Sequence, residues 1–154
     1  MRPVKISLVI LQAILFVNAC GGAWYGLAGA KAIPASWLEG SPFQSYLIPS
    51  LFLLIAVGGS MLLATVLWLL GSRVAGGRWA PWASIAAGSI LVGWIVAQVA
   101  MIGYVSWMQP ACFVAGLAIA ALGVVALRLR SRSRDGAGVG TPATTGEPRS
   151  EAAC

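Results

Sequence analysis

The stretch 47-LIPSLFLLIAVGGSMLLATVLWLL-70 decides the fold, because it is apolar almost throughout and contains no charged residue. A helix rises about 1.5 Å per residue, so this stretch is long enough to cross the roughly 30 Å of hydrocarbon in a bilayer. In lipid, a single segment satisfies its own backbone hydrogen bonds only as a helix. The stretch therefore predicts a membrane-spanning helix, with Pro49 in the first turn, where a missing N–H costs little.

The composition of the whole chain indicates the same class. Of the 154 residues, 59% are hydrophobic and 9% are charged, whereas soluble domains carry about 25% charged residues. The net charge of +6 does not indicate nucleic acid, because the basic residues flank apolar segments, as they do in membrane proteins. We therefore predict one membrane domain over residues 1–127, with the lipid bilayer as its surroundings and no nucleic-acid partner.

Two further apolar segments complete the membrane domain. A basic leader ends at Lys5, and the uncharged segment 6–30 predicts the first span. The uncharged segment 79–127 is too long for one crossing, and Pro110 marks a turn that divides it into spans at 82–104 and 109–127. Together with the span at 47–70, these segments predict an all-α, integral membrane four-helix bundle.

The positions of Lys and Arg predict the topology. They lie in the leader, in the loop between the second and third spans, and after the fourth span, whereas the other two loops contain only Lys31. The positive-inside rule then makes both termini of this multi-pass protein cytoplasmic. Residues 128–154 start with alternating arginines and continue with Gly, Ala, Pro, Thr and Ser, which predicts a basic, disordered cytoplasmic tail.

The first span has an alternative interpretation. A basic start, an apolar stretch and the tetrapeptide Val17-Asn18-Ala19-Cys20 resemble the signal of a lipoprotein that is cleaved before Cys20. The residues after Cys20 stay apolar instead of forming a polar tether, which favours a retained span. The two interpretations predict either a full-length chain or a chain that starts at an acylated Cys20.

The first outer loop contains a helix signal. Ser36-Trp37-Leu38-Glu39 has the S-x-x-E form of a capping box, and Gly40 can end the turn that this box begins. We therefore predict a short interfacial helix in this loop, with Trp37 at the depth of the lipid headgroups.

Few residues suit catalysis or metal binding. The chain contains no histidine, and its three cysteines form no C-x-x-C pair. The spans contain no Asp, Glu, Lys or Arg, so the membrane-embedded carboxylate that an ion-coupled exporter relies on is missing. We expect neither an enzyme nor a bound cofactor or metal.

Polar and small residues within the spans indicate how the helices associate. Gln12 and Thr65 share one predicted depth, and Asn18 and Ser60 share another, so we expect two hydrogen bonds between the first and second spans. Small residues that recur about four apart predict close helix packing, and they are also compatible with a homo-oligomer. They are Gly22 with Gly26, the row Ser89, Gly93 and Ala97, Ala111 with Ala115, and Gly116 with Ala120.

A second group of residues predicts a shallow, outward-facing pocket. Its candidate ligand-binding residues are Asn18, Trp24, Tyr25, Glu39, Trp94 and Gln98. Two hypotheses for the function follow. The first is a non-enzymatic membrane protein that supports or assembles with a membrane partner. The second is a carrier or binder of a small lipophilic molecule that occupies this pocket.

The stretch 37-WLEGSPFQSYLIP-49 and the segments 93-GWIVAQ-98 and 106-SWMQP-110 resemble a family of small, uncharacterised bacterial four-span membrane proteins. The resemblance extends from about Trp37 to Gly123. It implies the fold and a location in the bacterial inner membrane, and it implies no activity. The position of Gln98 is often acidic in that family, so this chain departs from the family there.

Overall fold

The computed structural model of this protein describes residues 2–29, 45–71 and 75–138. Within these ranges the chain is almost entirely helical and contains no strand. The interfacial helix predicted around Ser36 and the candidate binding residue Glu39 lie outside the described residues, and so does the tail from residue 139 onward.

The described chain forms four long helices, which confirms the all-α four-helix fold. The second helix has the bounds predicted for the second span, the first and third begin and end within a few residues of the predicted limits, and the fourth continues beyond its predicted end. A short 3₁₀ helix, Ala75–Arg78, precedes the third long helix. The long helices are α1 (Arg2–Leu27), α2 (Leu47–Leu70), α3 (Ala80–Ile102) and α4 (Met108–Gly138).

The outer surface of the bundle is apolar along its length. All four helices are long and apolar enough to cross a membrane. Large side chains such as Ile14, Val17, Ile55 and Val114 point away from the core, and Ile55 is 68% exposed. Exposing such a surface to water is unfavourable, so lipid is the solvent that suits it. By helix length and composition, the protein is a multi-pass membrane protein.

The two ends of the bundle differ in which chain segments they carry. We call the end with Arg2, Leu70, Ala80 and Arg132 the proximal end, because both the first and the last described residues lie on its side. The opposite end is the distal end, where α1 leads toward α2 and α3 leads into α4. Gly103, with φ of 74°, ends α3 in a conformation that side chains disfavour.

Helices α3 and α4 approach each other closely through small residues. A Cβ atom at Gly88 would lie 2.5 Å from the carbonyl oxygen of Gly116 and 2.8 Å from the backbone nitrogen of Ala120. Gly123 likewise faces α3, near Ile85. The predicted role of Gly116 and Ala120 in close packing is therefore confirmed, because no larger residue fits at this contact.

The row Ser89, Gly93 and Ala97 was expected to pack inside the bundle, and this prediction is wrong. All three residues are exposed, and a Cβ atom at Gly93 would meet nothing within 4 Å. The packed face of α3 instead carries Ser84 and Gly88, because residues one position apart in a helix point about 100° apart.

A buried hydrogen-bond network joins three helices in the proximal half. The Ser84 hydroxyl on α3 accepts from the Gln12 amide at 2.8 Å and from the Trp68 indole at 2.8 Å. It donates to the carbonyl oxygen of Ala80 at 3.0 Å. The hydroxyl thereby uses its single proton and both acceptor sites, and it fixes α1, α2 and α3 together.

The two expected hydrogen bonds between α1 and α2 are not formed. Gln12 bonds to Ser84 on α3, while the Thr65 hydroxyl donates to the carbonyl oxygen of Met61 in its own helix. Asn18 contacts Cys112 on α4, and the Ser60 hydroxyl donates to the carbonyl of its own helix three residues earlier. Matching depth is therefore insufficient, because the rotation of each helix decides which neighbour a side chain meets.

Helix α4 continues well past the end of the predicted span. Residues 128–138 are helical, although they were expected to belong to a disordered tail. Arg128, Leu129 and Arg130 favour helix, so the established helix extends into the start of this stretch at little cost. The Arg130 guanidinium lies 5.1 Å from the ring centroid of Trp68 and donates to the carbonyl oxygen of Gly77, which holds this extension against α2.

Candidate ligand-binding cavity

The distal half of the bundle contains a cavity of about 520 Å³ between the four helices. This volume lies within the range of sites that hold small molecules, roughly 300–1,000 Å³. Residues from all four helices and from the loop between α3 and α4 form its walls. They are Leu15, Asn18, Ala19, Gly22, Tyr25, Gly26, Tyr46, Pro49, Ser50, Leu53, Val57, Leu91, Trp94, Ile95, Gln98, Ile102, Val105, Ser106, Met108, Gln109 and Cys112.

The structure brings four of the six candidate site residues to this one cavity. Asn18 and Tyr25 line it from α1, and Trp94 and Gln98 line it from α3. Trp24 does not line the cavity, because its side chain points away from the bundle and is 76% exposed. The role of the four lining residues in binding stays a prediction.

The cavity is polar at one end and apolar at the other. Its distal end, which we call the mouth, carries most of the polar side chains. Its inner end, which we call the floor, lies toward the middle of the bundle and is formed by Leu15, Val57 and Leu91. The polar residues at the mouth are Tyr25, Tyr46, Ser50, Gln98, Ser106 and Gln109.

The side chains at the mouth are neutral hydrogen-bonding groups. Burial raises the pKa of the Tyr46 phenol above its ordinary value, so this hydroxyl stays protonated at neutral pH. The Gln98 amide lines the cavity and makes no side-chain hydrogen bond to the described part of the chain. Among the described lining residues, none is Asp, Glu, Lys, Arg or His.

Trp94 forms part of the cavity wall, and Phe52, which does not itself line the cavity, stacks on it. The rings of Phe52 on α2 and Trp94 on α3 are stacked, with centroids 4.8 Å apart and an interplanar angle of 26°. Trp94 is almost fully buried, so its indole is held in place by the surrounding packing. The stack gives the cavity a flat, rigid apolar surface at a level between the mouth and the floor.

Gln109 fixes the loop between α3 and α4 beside the mouth. Its side-chain oxygen accepts from the backbone N–H groups of Val105 at 3.0 Å and Ser106 at 3.4 Å. Its side-chain nitrogen donates to the carbonyl oxygen of Gly103 at 3.2 Å. Because Val105 and Ser106 themselves line the cavity, the buried Gln109 side chain fixes the position of this part of the wall.

A π-helical segment in α2 lies beside the cavity. It extends over Leu53–Gly58, and its residues Leu53 and Val57 line the cavity. The wider turn of a π-helix admits one more residue per turn than the α-helix around it, and such segments are frequent at functional sites. Ser50, which precedes this segment, lines the mouth, and Trp68, which follows it, takes part in the proximal hydrogen-bond network.

Asn18 and Cys112 connect α1 and α4 across the cavity. The Asn18 side-chain nitrogen lies 3.9 Å from the Cys112 sulfur, a long contact to a weak acceptor. Both residues line the cavity, and the Cys112 thiol is free. The contact therefore holds the two helices only weakly at this level.

Several lining residues were not anticipated from the sequence. Ser50 and Gln109 each carry a weak signal, because each lies within one residue of a proline that marks a helix start. Cys112 lies in an uncharged apolar segment, and nothing in the sequence distinguishes it from a packing residue. In the described part of the chain, His, Cys, Asp and Glu nowhere form a group of three or more that could hold a metal ion.

The chain matches no protein-family model, no curated protein and no solved structure. The resemblance to small bacterial four-span proteins therefore stays a prediction, and the function is argued from the cavity itself.

Proposed function

We propose that this protein is a non-enzymatic integral membrane protein that binds a small lipophilic molecule in the distal cavity. The observation that carries the proposal is the cavity's shape and lining: about 520 Å³ between four helices, with an apolar floor and a few polar groups at the mouth. Sites for small molecules have this character, mostly apolar with a small number of polar groups that fix orientation.

The basic residues support an orientation with the cavity facing outward. Arg2, Lys5, Arg78, Arg128 and Arg132 all lie toward the proximal end of the bundle. Under the positive-inside rule this end faces the cytoplasm, so both termini are cytoplasmic and the mouth opens to the outer side. Together with the family resemblance, this supports a location in the bacterial inner membrane.

The packing of α1 supports a retained first span. This helix is continuous from Arg2 to Leu27, and Cys20 lies inside it. Cleavage before Cys20 would remove the buried side chains of Leu8, Gln12 and Leu15, and with them one wall of the core. We therefore propose that the mature protein keeps all four spans and is not a lipoprotein.

Native mass spectrometry of the protein released from its own membranes in mild detergent tests these proposals together. We expect a full-length chain that carries one defined small molecule. Gly22 and Gly21 offer a matched pair of variants, because Gly22 lines the cavity and a Cβ atom at Gly21 meets nothing within 4 Å.

We expect Gly22→Leu to lose the bound molecule, because the new side chain occupies cavity space, whereas Gly21→Leu keeps it. Thermal unfolding of both variants controls for damage to the bundle. A folded wild-type chain that carries no small molecule would refute the binding proposal. A chain that starts at Cys20 with added acyl groups would refute the four-span topology.

Assembly with a membrane partner is a second candidate function, and a specific observation favours it. The outward face of α3 carries a row of small residues, and this face packs against nothing in the described structure. Small residues on an outer face permit a second transmembrane helix to approach closely. The row consists of Ala86, Ser89, Gly93, Ala97 and Ala100.

The substitution Gly93→Leu tests assembly without touching the cavity. If this face binds another helix, the variant loses a partner or second copy that is present at fixed stoichiometry in the native spectrum of the wild type, while Gly21→Leu retains it. Identical spectra for wild type and Gly93→Leu would argue against an interface on α3.

A further inference from the structure

We infer that the ligand of the distal cavity is an uncharged, single-chain amphiphile, held with its polar end at the mouth and its chain directed toward the floor. This inference rests on the proposed binding function and adds the chemical class and orientation of the ligand. It follows from the polarity, the charge, the dimensions and the position of the cavity.

The polarity gradient sets the orientation. On α3 the lining runs from Leu91 at the floor to Ile102 at the mouth, which is about 16 Å along the helix axis. The hydroxyl and amide groups of Ser50 and Gln98 lie in the mouth half, while Val57 and Leu91 close the other end. A polar group at the floor would lose its hydrogen bonds to water without replacement, so the apolar part of the ligand belongs there.

The lining also determines the charge of the ligand. The mouth offers amide and hydroxyl groups, which both donate and accept hydrogen bonds, and the described lining includes no side chain of opposite charge for an ionic headgroup. Burying an unpaired charge is far more costly than burying a hydrogen-bonded neutral group. The Gln98 amide is available, because it makes no side-chain hydrogen bond within the described residues.

The dimensions of the cavity fit one hydrocarbon chain. A volume of about 520 Å³ spread over about 16 Å of helix axis leaves a mean cross-section of roughly 30 Å². Methylene groups pack at carbon separations of about 4 Å, so one extended hydrocarbon chain takes up roughly 16 Å² and fits with clearance, whereas the two chains of a diacyl lipid would fill the whole section. The indole of Trp94, which is stacked on Phe52, lies along this hydrocarbon chain.

The position of the cavity matches how such a molecule already sits in a membrane. The mouth lies where the helices end, at the level of the headgroups, and the floor lies toward the middle of the bilayer. The lining residues with the greatest exposure include Asn18 and Gly22 on α1 and Met108 at the start of α4. A single-chain lipid of the same leaflet enters between these helices without turning over.

Protection of the Cys112 thiol tests the inference, because this thiol lines the cavity. The protein is the full chain with Cys20→Ala and Cys154→Ala, reconstituted in phospholipid nanodiscs, and the readout is the rate of labelling by N-ethylmaleimide. Three probes with chains of equal length are compared: monolauroylglycerol, which is neutral, dodecanesulfonate, which is anionic, and dodecyltrimethylammonium, which is cationic.

We expect monolauroylglycerol alone to protect Cys112. At a probe concentration about ten times its dissociation constant, labelling slows about tenfold, since only the unoccupied cavity reacts. Gln98→Leu weakens this protection, because the apolar side chain offers no hydrogen bond to the glycerol. Gly22→Leu abolishes it, and Gly21→Leu leaves it unchanged.

Other outcomes separate a failure of this inference from a failure of the proposed function. Equal protection by all three probes, still abolished by Gly22→Leu, overturns the neutral headgroup and leaves the binding function standing. Protection by monolauroylglycerol that Gln98→Leu does not change overturns the orientation. No protection by any probe, while the native spectrum carries a bound molecule, overturns only the ligand class. No protection and no bound molecule overturn both.

Discussion

The proximal and distal halves of this bundle contain similar residues that have different roles. In the proximal half, the Gln12 amide is fully buried and donates to Ser84, which also accepts from the indole of Trp68. In the distal half, the Gln98 amide lines an open cavity and makes no side-chain hydrogen bond within the described residues. A glutamine in a membrane helix is therefore structural or available for a ligand according to what its neighbours leave open.

The glycines show the same contrast. Gly88 lies in the proximal half of α3, where the backbone of α4 takes the space that a side chain would need. Gly22 lies in the distal half of α1 and lines the cavity, where the nearest atom to an added Cβ is the flexible end of the Leu53 side chain, at 3.1 Å. The proximal half is thus built to exclude additional atoms, and the distal half has room for them.

The substitution Gly88→Val should destabilise the proximal half more than any other change considered. Its Cβ atom would lie against the backbone of Gly116 and Ala120, which cannot move without separating α3 from α4. We expect a loss of about 3 kcal/mol in the free energy of unfolding, at the upper end of overpacking effects. Thermal or SDS-induced unfolding measures it, and Gly93→Val on the open side of α3 is the matched control. Equal stability of the two variants would contradict the α3–α4 contact.

The substitution Ser84→Ala should have the next largest effect. It leaves the buried amide of Gln12 and the indole N–H of Trp68 without an acceptor. We expect a loss of about 2 kcal/mol, within the range for buried donors that lose their partner. Ser89→Ala, on the exposed side of the same helix, should change stability by less than about 0.5 kcal/mol. If the two alanine variants have the same free energy of unfolding, the hydrogen-bond network contributes nothing to the stability of the proximal half.

The substitution Asn18→Leu should have the smallest effect on stability, because this residue lies in the distal half, where the helices are held less tightly. The contact of Asn18 with Cys112 is long, at 3.9 Å, and we expect its loss to cost less than about 0.5 kcal/mol. We also expect the variant to retain less of the bound molecule in the native spectrum. A large loss of stability would instead assign Asn18 to helix association, as in the proximal half.

The sequence predicts the helices well and their rotations poorly. The bounds of α2 follow from an uncharged apolar run that ends where glycine and polar residues begin, and lipid imposes helix on any such run. The partners of Gln12 and Asn18 could not be predicted in the same way. Depth follows from counting residues, but the angle at which each helix faces its neighbours depends on the packing of all four together.

The site was predictable to a similar degree. Asn18 and Tyr25 lie in the distal half of α1, Trp94 and Gln98 lie in the distal half of α3, and all four line the cavity. Trp24 was assigned to the same group on depth alone, and it points outward because it lies about 100° round the helix from the buried Ala23. For α3, the small residues Ser89 and Gly93 resembled a packing face as closely as Gly88 did, and only the position of α4 separates them.

The π-helical segment Leu53–Gly58 makes the length of α2 in residues as important as its composition. Each residue turns a helix by about 100°. The wide turn already accommodates one extra residue, so inserting a further residue here would rotate Tyr46 and Ser50 by about that angle, away from the cavity mouth. The helix would still cross the membrane and still hold Trp68 against Ser84. A hydropathy profile would register almost no change, although the site would have lost one of its four walls.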